Sequence, residues 1–177
     1  MAATITIWTA ANLFIGDDGP DNSKHLSLQN IKLPDWKEKS QEHHPGGGIA
    51  AINIGGLGFE APELSFKLVG TDAQAKAAFG LGSRVGMPYT IYGELVDKRT
   101  ARKIERKVVV FGRMTEVSED EFERGKVTMQ DHKITEITHF ELYEDKKEVY
   151  FFDLWTSQWR VNGIDENAET RGILRIA

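Results

Sequence analysis

Cysteine is absent from the chain. That excludes a disulfide framework, a thiol nucleophile and any zinc site with sulfur ligands, and it suits synthesis in a reducing compartment. Long apolar runs are missing as well: no stretch reaches the about 18 consecutive apolar residues of a membrane-spanning helix. The segment from Met1 to Trp8 carries no basic stretch ahead of an apolar core, so no secretory leader is expected and no membrane partner is implied. Positive charge is in deficit, with 22 Lys and Arg against 27 Asp and Glu and a net charge of −5. Nucleic-acid binders gain affinity by setting cations against phosphates, so a tight DNA binder is disfavoured. Mild acidity instead suits a surface along which a polyanion slides without sticking.

Catalytic and metal-binding patterns are missing too. His43 and His44 are adjacent but supply at most two ligands, and His132 and His139 sit seven apart in one strand, on opposite faces. The acidic run from Glu116 to Glu123 lacks the alternating ligands and central glycine of a calcium loop. Gly80 to Gly86 has the wrong last spacing for a dinucleotide loop and follows a helix, and Gly55 to Gly58 is not continued by the Lys of a phosphate-binding loop. The cations Lys98, Arg99, Arg102, Lys103, Arg106 and Lys107 cluster at a hairpin tip without interleaved aromatics for base stacking. No Gly-x-Ser-x-Gly motif occurs, so no catalytic residue, cofactor or metal is assigned and the chain reads as a non-enzyme.

What the chain does have is period-two alternation in stretches rich in Val, Ile, Thr, Tyr and Phe. Strands are expected over residues 5–14, 24–33, 49–54, 63–69, 88–96, 104–117, 127–143 and 148–155, with Leu26, Leu28 and Ile31 as core candidates in the second. Hairpin turns are expected at Asp97 to Ala101 and at Tyr143 to Lys147, and an acidic solvent-facing turn at Ser118 to Gly125. One helix is expected over residues 71–80, with Thr71 and Gln74 in capping-box spacing and Ala75 and Phe79 facing the sheet. At 177 residues the chain fits one domain, an all-β barrel or sandwich of mainly antiparallel strands with one short α-helix.

Residues 34–48 are charged, end in glycines and are long for a loop in a domain of this size. Trp36 in their midst has two readings: pressed against a neighbouring subunit, or folded back onto its own barrel. Val161, Asn162, Gly163, Ile164 and Asp165 form the strongest short turn signal, ahead of a C-terminal tail over residues 160–177.

The stretch from His139 to Trp155, followed by Trp159 to Asp165 and a closing Arg171 to Leu174, resembles the major tail tube protein family of phages with contractile tails. Asn12, Leu13 and Phe14 near the start, the Leu26 to Leu33 strand ending in Leu-Pro, and Leu64 to Leu68 leading into the helix are similar to that family as well. Residues 35–48 and 55–62 depart from its pattern. The resemblance implies a tail tube fold in a structural subunit whose homo-hexameric rings stack into a hollow tube, the conduit for DNA, without specific binding of it. It implies tail sheath, tape measure protein, baseplate hub and tail terminator as partners, assembly in the host cytoplasm and a final place in the virion. A DNA-free, tailocin-like injection device uses the same kind of subunit, and a monomeric ligand-binding β-barrel is the more distant alternative. Within this reading, Trp36, Lys37, Glu38, Lys39, Gly46, Gly47, Gly48 and Arg171 are candidates for inter-ring contact, while Thr90, Glu94, Glu136 and Thr138 are candidates for the lumen.

Overall fold

The computed structural model describes residues 4–80 and 85–176. Eleven strands and two short helices alternate in it: β1 (Thr6–Ile15), β2 (Leu28–Lys32), β3 (Gln41–His43), β4 (Ile52–Ile54), β5 (Leu64–Val69), α1 (Ala73–Ala77), β6 (Met87–Asp97), β7 (Lys103–Glu119), β8 (Met129–Glu144), β9 (Lys147–Asp153), β10 (Gln158–Val161), β11 (Ile164–Asp165) and α2 (Ala168–Leu174). Nine strands join one antiparallel sheet in the order β1, β6, β7, β8, β9, β10, β11, and β5, itself paired with β2, attaches to the first half of β8. β3 and β4 form a separate hairpin.

The long strand β8 is the branch point. Its first half, Met129 to Ile134, pairs with β5, and its second half, His139 to Glu144, pairs with β9. Between the halves the ladder with β7 jumps from Arg113 opposite Thr135 to Phe111 opposite His139, leaving extra residues on β8, and Glu136 takes a positive φ of 50°. Such a bulge bends the strand and increases its twist, which lets the sheet split. Gly112 makes this possible from the other side: a Cβ there would lie 2.7 Å from Ile134 Cγ2 and 3.0 Å from the Thr135 carbonyl oxygen.

The buried face collects alternate residues from the paired strands. Leu13, Tyr89, Ile91, Val108, Val110, Leu64, Leu68 and Ile134 are fully shielded, and Phe66 and Phe140 nearly so. β1 and β2 face each other at the open seam of this six-strand wrap, where Lys24 donates its backbone N–H to the Leu13 carbonyl at 2.9 Å. The centre of the wrap is thus filled by side chains.

Several expectations are corrected by tertiary contacts that alternation cannot register. Residues 24–27 form a turn: Ser27 and Leu28 both donate backbone N–H groups to the Lys24 carbonyl, and Leu26 is 89% exposed. Lys24 is instead drawn inward by Asp72 at 2.7 Å and Gln74 at 2.7 Å. α1 spans five residues, and Asp72 is its cap, accepting from the Ala75 N–H at 2.8 Å, while Thr71 donates to Glu119. Ala75 and Ala78 pack inward, and Phe79, past the helix end, is 46% exposed. β9 stops at Asp153, because that carboxylate accepts from both the backbone N–H and the hydroxyl of Thr156 and closes a turn. The segment 49–54 is strand only at its end, and four residues of the expected 80–86 connection, 81–84, lie outside the described residues.

The two tight hairpins form as expected. Asp97 and Arg102 close the first, with Ala101 at φ 57°, and Asp145 and Lys146, at φ 51° and 63°, make the second. Asn162 and Gly163, at 51° and 81°, turn β10 into β11. Paired positive φ values give a turn whose twist matches that of its flanking strands. The C-terminal tail holds a further helix, α2, ended by Arg175 in the left-handed region.

Candidate functional site

Three surfaces stand out because they expose what a solitary domain would hide. The first is an arm. From its base, Glu60 donates to the Lys37 carbonyl at 2.8 Å and Lys39 donates to the Gly58 carbonyl at 2.8 Å, with Glu38 bridged to Phe59. β3 and β4 continue this ladder, Gln41 opposite Ile54 and His43 opposite Ile52. The tip turns where Gly48 donates to the Pro45 carbonyl, so Gly46, Gly47 and Gly48 sit exposed at the far end. Residues 34–48 are therefore one side of a projecting hairpin instead of an open loop. A lone two-stranded hairpin is at best marginally stable in water. This one carries Ile49, Ile52, Ile54 and Leu57 in the open, between 48% and 108% exposed.

Trp36 anchors the arm to its own chain. Its ring lies 4.9 Å from Trp159, 5.2 Å from Phe140, 5.3 Å from Phe152 and 5.9 Å from Phe59, centroid to centroid. Of the two readings of Trp36, the single chain shows the ring folded back onto its own barrel, since aromatics from β8, β9 and β10 converge on it, which alternation within one segment could not show. The flanking side chains of Lys37, Glu38 and Lys39 stay at the surface.

The second surface is the C-terminal end. Arg160 grips Glu148 through Nε at 3.0 Å and Nη2 at 2.7 Å, lies 3.5 Å over the Phe151 ring, and holds the Glu148 carboxyl below its usual range. Arg171 is spent inside the chain, paired with Asp165, and Asn167 donates to the Ser157 carbonyl at 2.7 Å. α2 is thereby pinned against the end of β11 and the turn between β9 and β10. Around it Leu154, Trp155, Ile164, Ile173 and Leu174 are each more than half exposed.

The third surface is the polar face of β6 to β9, opposite the core. Glu94 is held below its usual carboxyl range by hydrogen bonds from Lys103 and Thr9. Lys107 sits 5.6 Å over the Tyr92 ring, and His139 lies between Asp153 at 3.1 Å and Glu141 at 2.9 Å. Burial would raise the Asp153 carboxyl, but hydrogen bonds from Thr156 and His139 outweigh it and the net shift is downward. Of the four lumen candidates, Thr90 and Glu94 share this face through β6, yet Thr90 is only 7% exposed. Glu136 and Thr138 fall in the β8 bulge. Glu136 is turned outward there and pairs with Arg113 at 3.1 Å, which frees it from the apolar face that simple alternation assigns it.

Among the described residues no cluster of His, Asp and Glu is arranged to hold a metal, and no helix is long and apolar enough to cross a membrane.

A family model described as phage tail tube protein FII matches residues 9–174. The chain belongs to that family. The match runs from β1 through α2 and thus takes in the arm and the C-terminal end together. Tail tube proteins are structural, and the arm, the tail and the polar face are surfaces of a tube subunit. No curated protein matches. Among solved structures, a chain of the sheath–tube complex of an extracellular contractile injection system, PVC, in its extended state aligns with a TM-score of 0.51 at 10% identity, covering 76% of this chain and 88% of that one. A chain of the six-fold symmetrised anti-feeding prophage baseplate aligns at 0.53 with 11% identity, over 77% and 92%. One from the anti-feeding prophage tube terminating cap aligns at 0.50 with 13% identity, over 75% and 87%. At such identities the likeness is one of fold: the tail tube fold, in a mostly antiparallel β protein.

Proposed function

We propose that this tail tube protein assembles into homo-hexameric rings that stack into the hollow inner tube of a contractile tail, through which DNA passes without specific binding. The observation that carries this reading is the arm, a projecting hairpin whose isoleucines lie exposed in the single chain and would be covered by a neighbouring copy. The sheath–tube complex, the baseplate solved with six-fold symmetry and the terminating cap among the fold relatives support it. Sheath, tape measure protein, baseplate hub and tail terminator are the proposed partners, in a virion assembled in the host cytoplasm. The polar face of β6 to β9 lines the lumen in this account, with Glu94, Thr90, Glu136 and Thr138 on or beside it. Its cations are already engaged, Lys103 by Glu94 and Lys107 by Tyr92, which leaves little to hold a passing phosphate backbone. Gly46, Gly47, Gly48 and the charged base at Lys37, Glu38 and Lys39 reach the neighbouring subunit, and the tail anchored by Arg171 contributes its apolar patch.

A DNA-free contractile injection device is the second reading, favoured by the extracellular contractile injection system among the fold relatives. A monomeric ligand-binding barrel is disfavoured by an interior filled with side chains. Replacing residues 44–51 by a two-residue turn tests the proposal. The shortened protein should keep the secondary structure of the parent and sediment as small species where the parent forms large assemblies. Assembly equal to that of the parent would count against the arm and the reading built on it.

A further inference from the structure

The longest strand of the molecule, β7, carries opposite charge at its two ends. It runs for 17 residues, about 50 Å at the usual rise per residue. At its start, the β6–β7 hairpin presents Lys98 and Arg99, both exposed and with no ion pair among the described residues, whereas Arg102 and Lys103 are taken up by Asp145 and Glu94. At its far end, residues 118–127 are exposed throughout, and five acids between Glu116 and Glu123 face only Arg124 and Lys126 in the same loop. Glu119 is held by Lys76 and Glu123 by Lys126, which leaves Asp120 and Glu121 with no ion pair among the described residues.

Shape follows charge at both ends. The acidic loop lifts Phe122 into solvent, 81% exposed, with carboxylates on both sides of it in the chain. The basic tip borders an open, shallow hollow of about 460 Å³ lined by Thr4, Ile5, Lys98 and Arg99, in which Ile5 is 69% exposed. One end is thus an aromatic knob with an acidic collar, the other an apolar-floored hollow with two uncommitted cations. A cation beside an aromatic face adds attraction to what burial of the ring contributes.

We infer that successive rings of the tube dock head to tail through this pair, the Phe122 knob of one subunit seating in the Ile5, Lys98 and Arg99 hollow of a copy in the next ring. The occupant is a second copy of this chain because each end supplies what the other lacks. The contact is heterologous, so it repeats without closing and gives the stack a direction. This inference rests on the tube reading above and adds to it which surfaces set axial polarity.

Two variants with opposite defects test it. Lys98→Glu with Arg99→Glu makes both ends acidic, and Glu121→Lys with Glu123→Lys makes both ends basic. All four positions are exposed, and circular dichroism checks that each protein folds. Rod growth is followed by sedimentation and electron microscopy. Each variant alone should need on the order of tenfold more protein to elongate, or fail to elongate. Their equimolar mixture should recover, because the acidic tip of one then meets the basic loop of the other. Phe122→Ala should raise the same threshold without changing any charge. If the wild-type protein forms no rods, the tube reading itself fails. If it forms rods and the reversed variants elongate as it does, or if mixing restores nothing, the tube stands and this pairing is overturned.

Discussion

Replacing Trp36 by alanine separates two roles that a tryptophan in an arm can have. If its partners lie within the chain, the loss falls on folding; if they lie on a neighbour, it falls on assembly. Four aromatic rings surround the indole at 4.9 to 5.9 Å, and the residue is half-buried. Truncating a fully buried Phe or Trp costs about 3–5 kcal/mol. Half-burial scales this to about 2–3 kcal/mol, and the exposed arm cannot collapse into the gap, so little of it is recovered. Urea unfolding of the unassembled protein, followed by circular dichroism to avoid the lost fluorophore, reads the difference as a lowered midpoint at unchanged slope. A midpoint within error of the wild type, with assembly abolished, would refute the internal role and return Trp36 to the subunit interface.

Gly112→Ala should destabilise the fold by about 1–3 kcal/mol through overpacking, because the new methyl would collide with Ile134 and the Thr135 carbonyl; denaturant titration checks it. Deleting Arg171 to Ala177 removes the α2 anchor and part of the exposed apolar patch but no sheet strand, so the sheet should stay folded while assembly is impaired; tubes of normal length would contradict this. His132 stacks on Phe66 at 4.6 Å with both ring nitrogens buried, and burial lowers its pKa from 6.5. The unfolded chain therefore takes up the proton first. Stability from this residue is intact above about pH 6.5 and declines as pH falls from there toward the lower folded pKa. His132→Phe should flatten the dependence of the urea midpoint between pH 7.5 and 5; parallel curves for the two proteins would show the histidine plays no part.

The strands from Leu64 to Val69 and from Met87 onward were legible in sequence because one face of each is buried, and alternation follows burial directly. Hairpin turns at Asp145 and Asn162 were legible because their positive φ values select the residue types found there or beside them, and the turn at 97–101 was legible as a polar stretch between two apolar runs. Leu26 misled because it alternates in step with Leu28 while Lys24 is pulled the other way by Asp72, far along the chain. Glu136 misled for a similar reason: its left-handed backbone breaks the alternation, and the cause lies across the ladder at Gly112. α2 escaped notice because Gly172 lowers its helical propensity, and what holds it is the long reach of Arg171 to Asp165. The arm was visible as an anomaly of length and glycine content beside a short expected strand at 49–54. Its pairing of Lys37 with Glu60 and Gln41 with Ile54 joins that stretch to the segment holding the strand expected at 49–54, a partnership that the alternation of neither segment names.

Negative-stain electron microscopy of the purified full-length protein tests the central claim most directly. The account predicts six-fold annuli or hollow rods whose wall is one subunit thick. A monodisperse, compact monomer that persists as concentration is raised would contradict it.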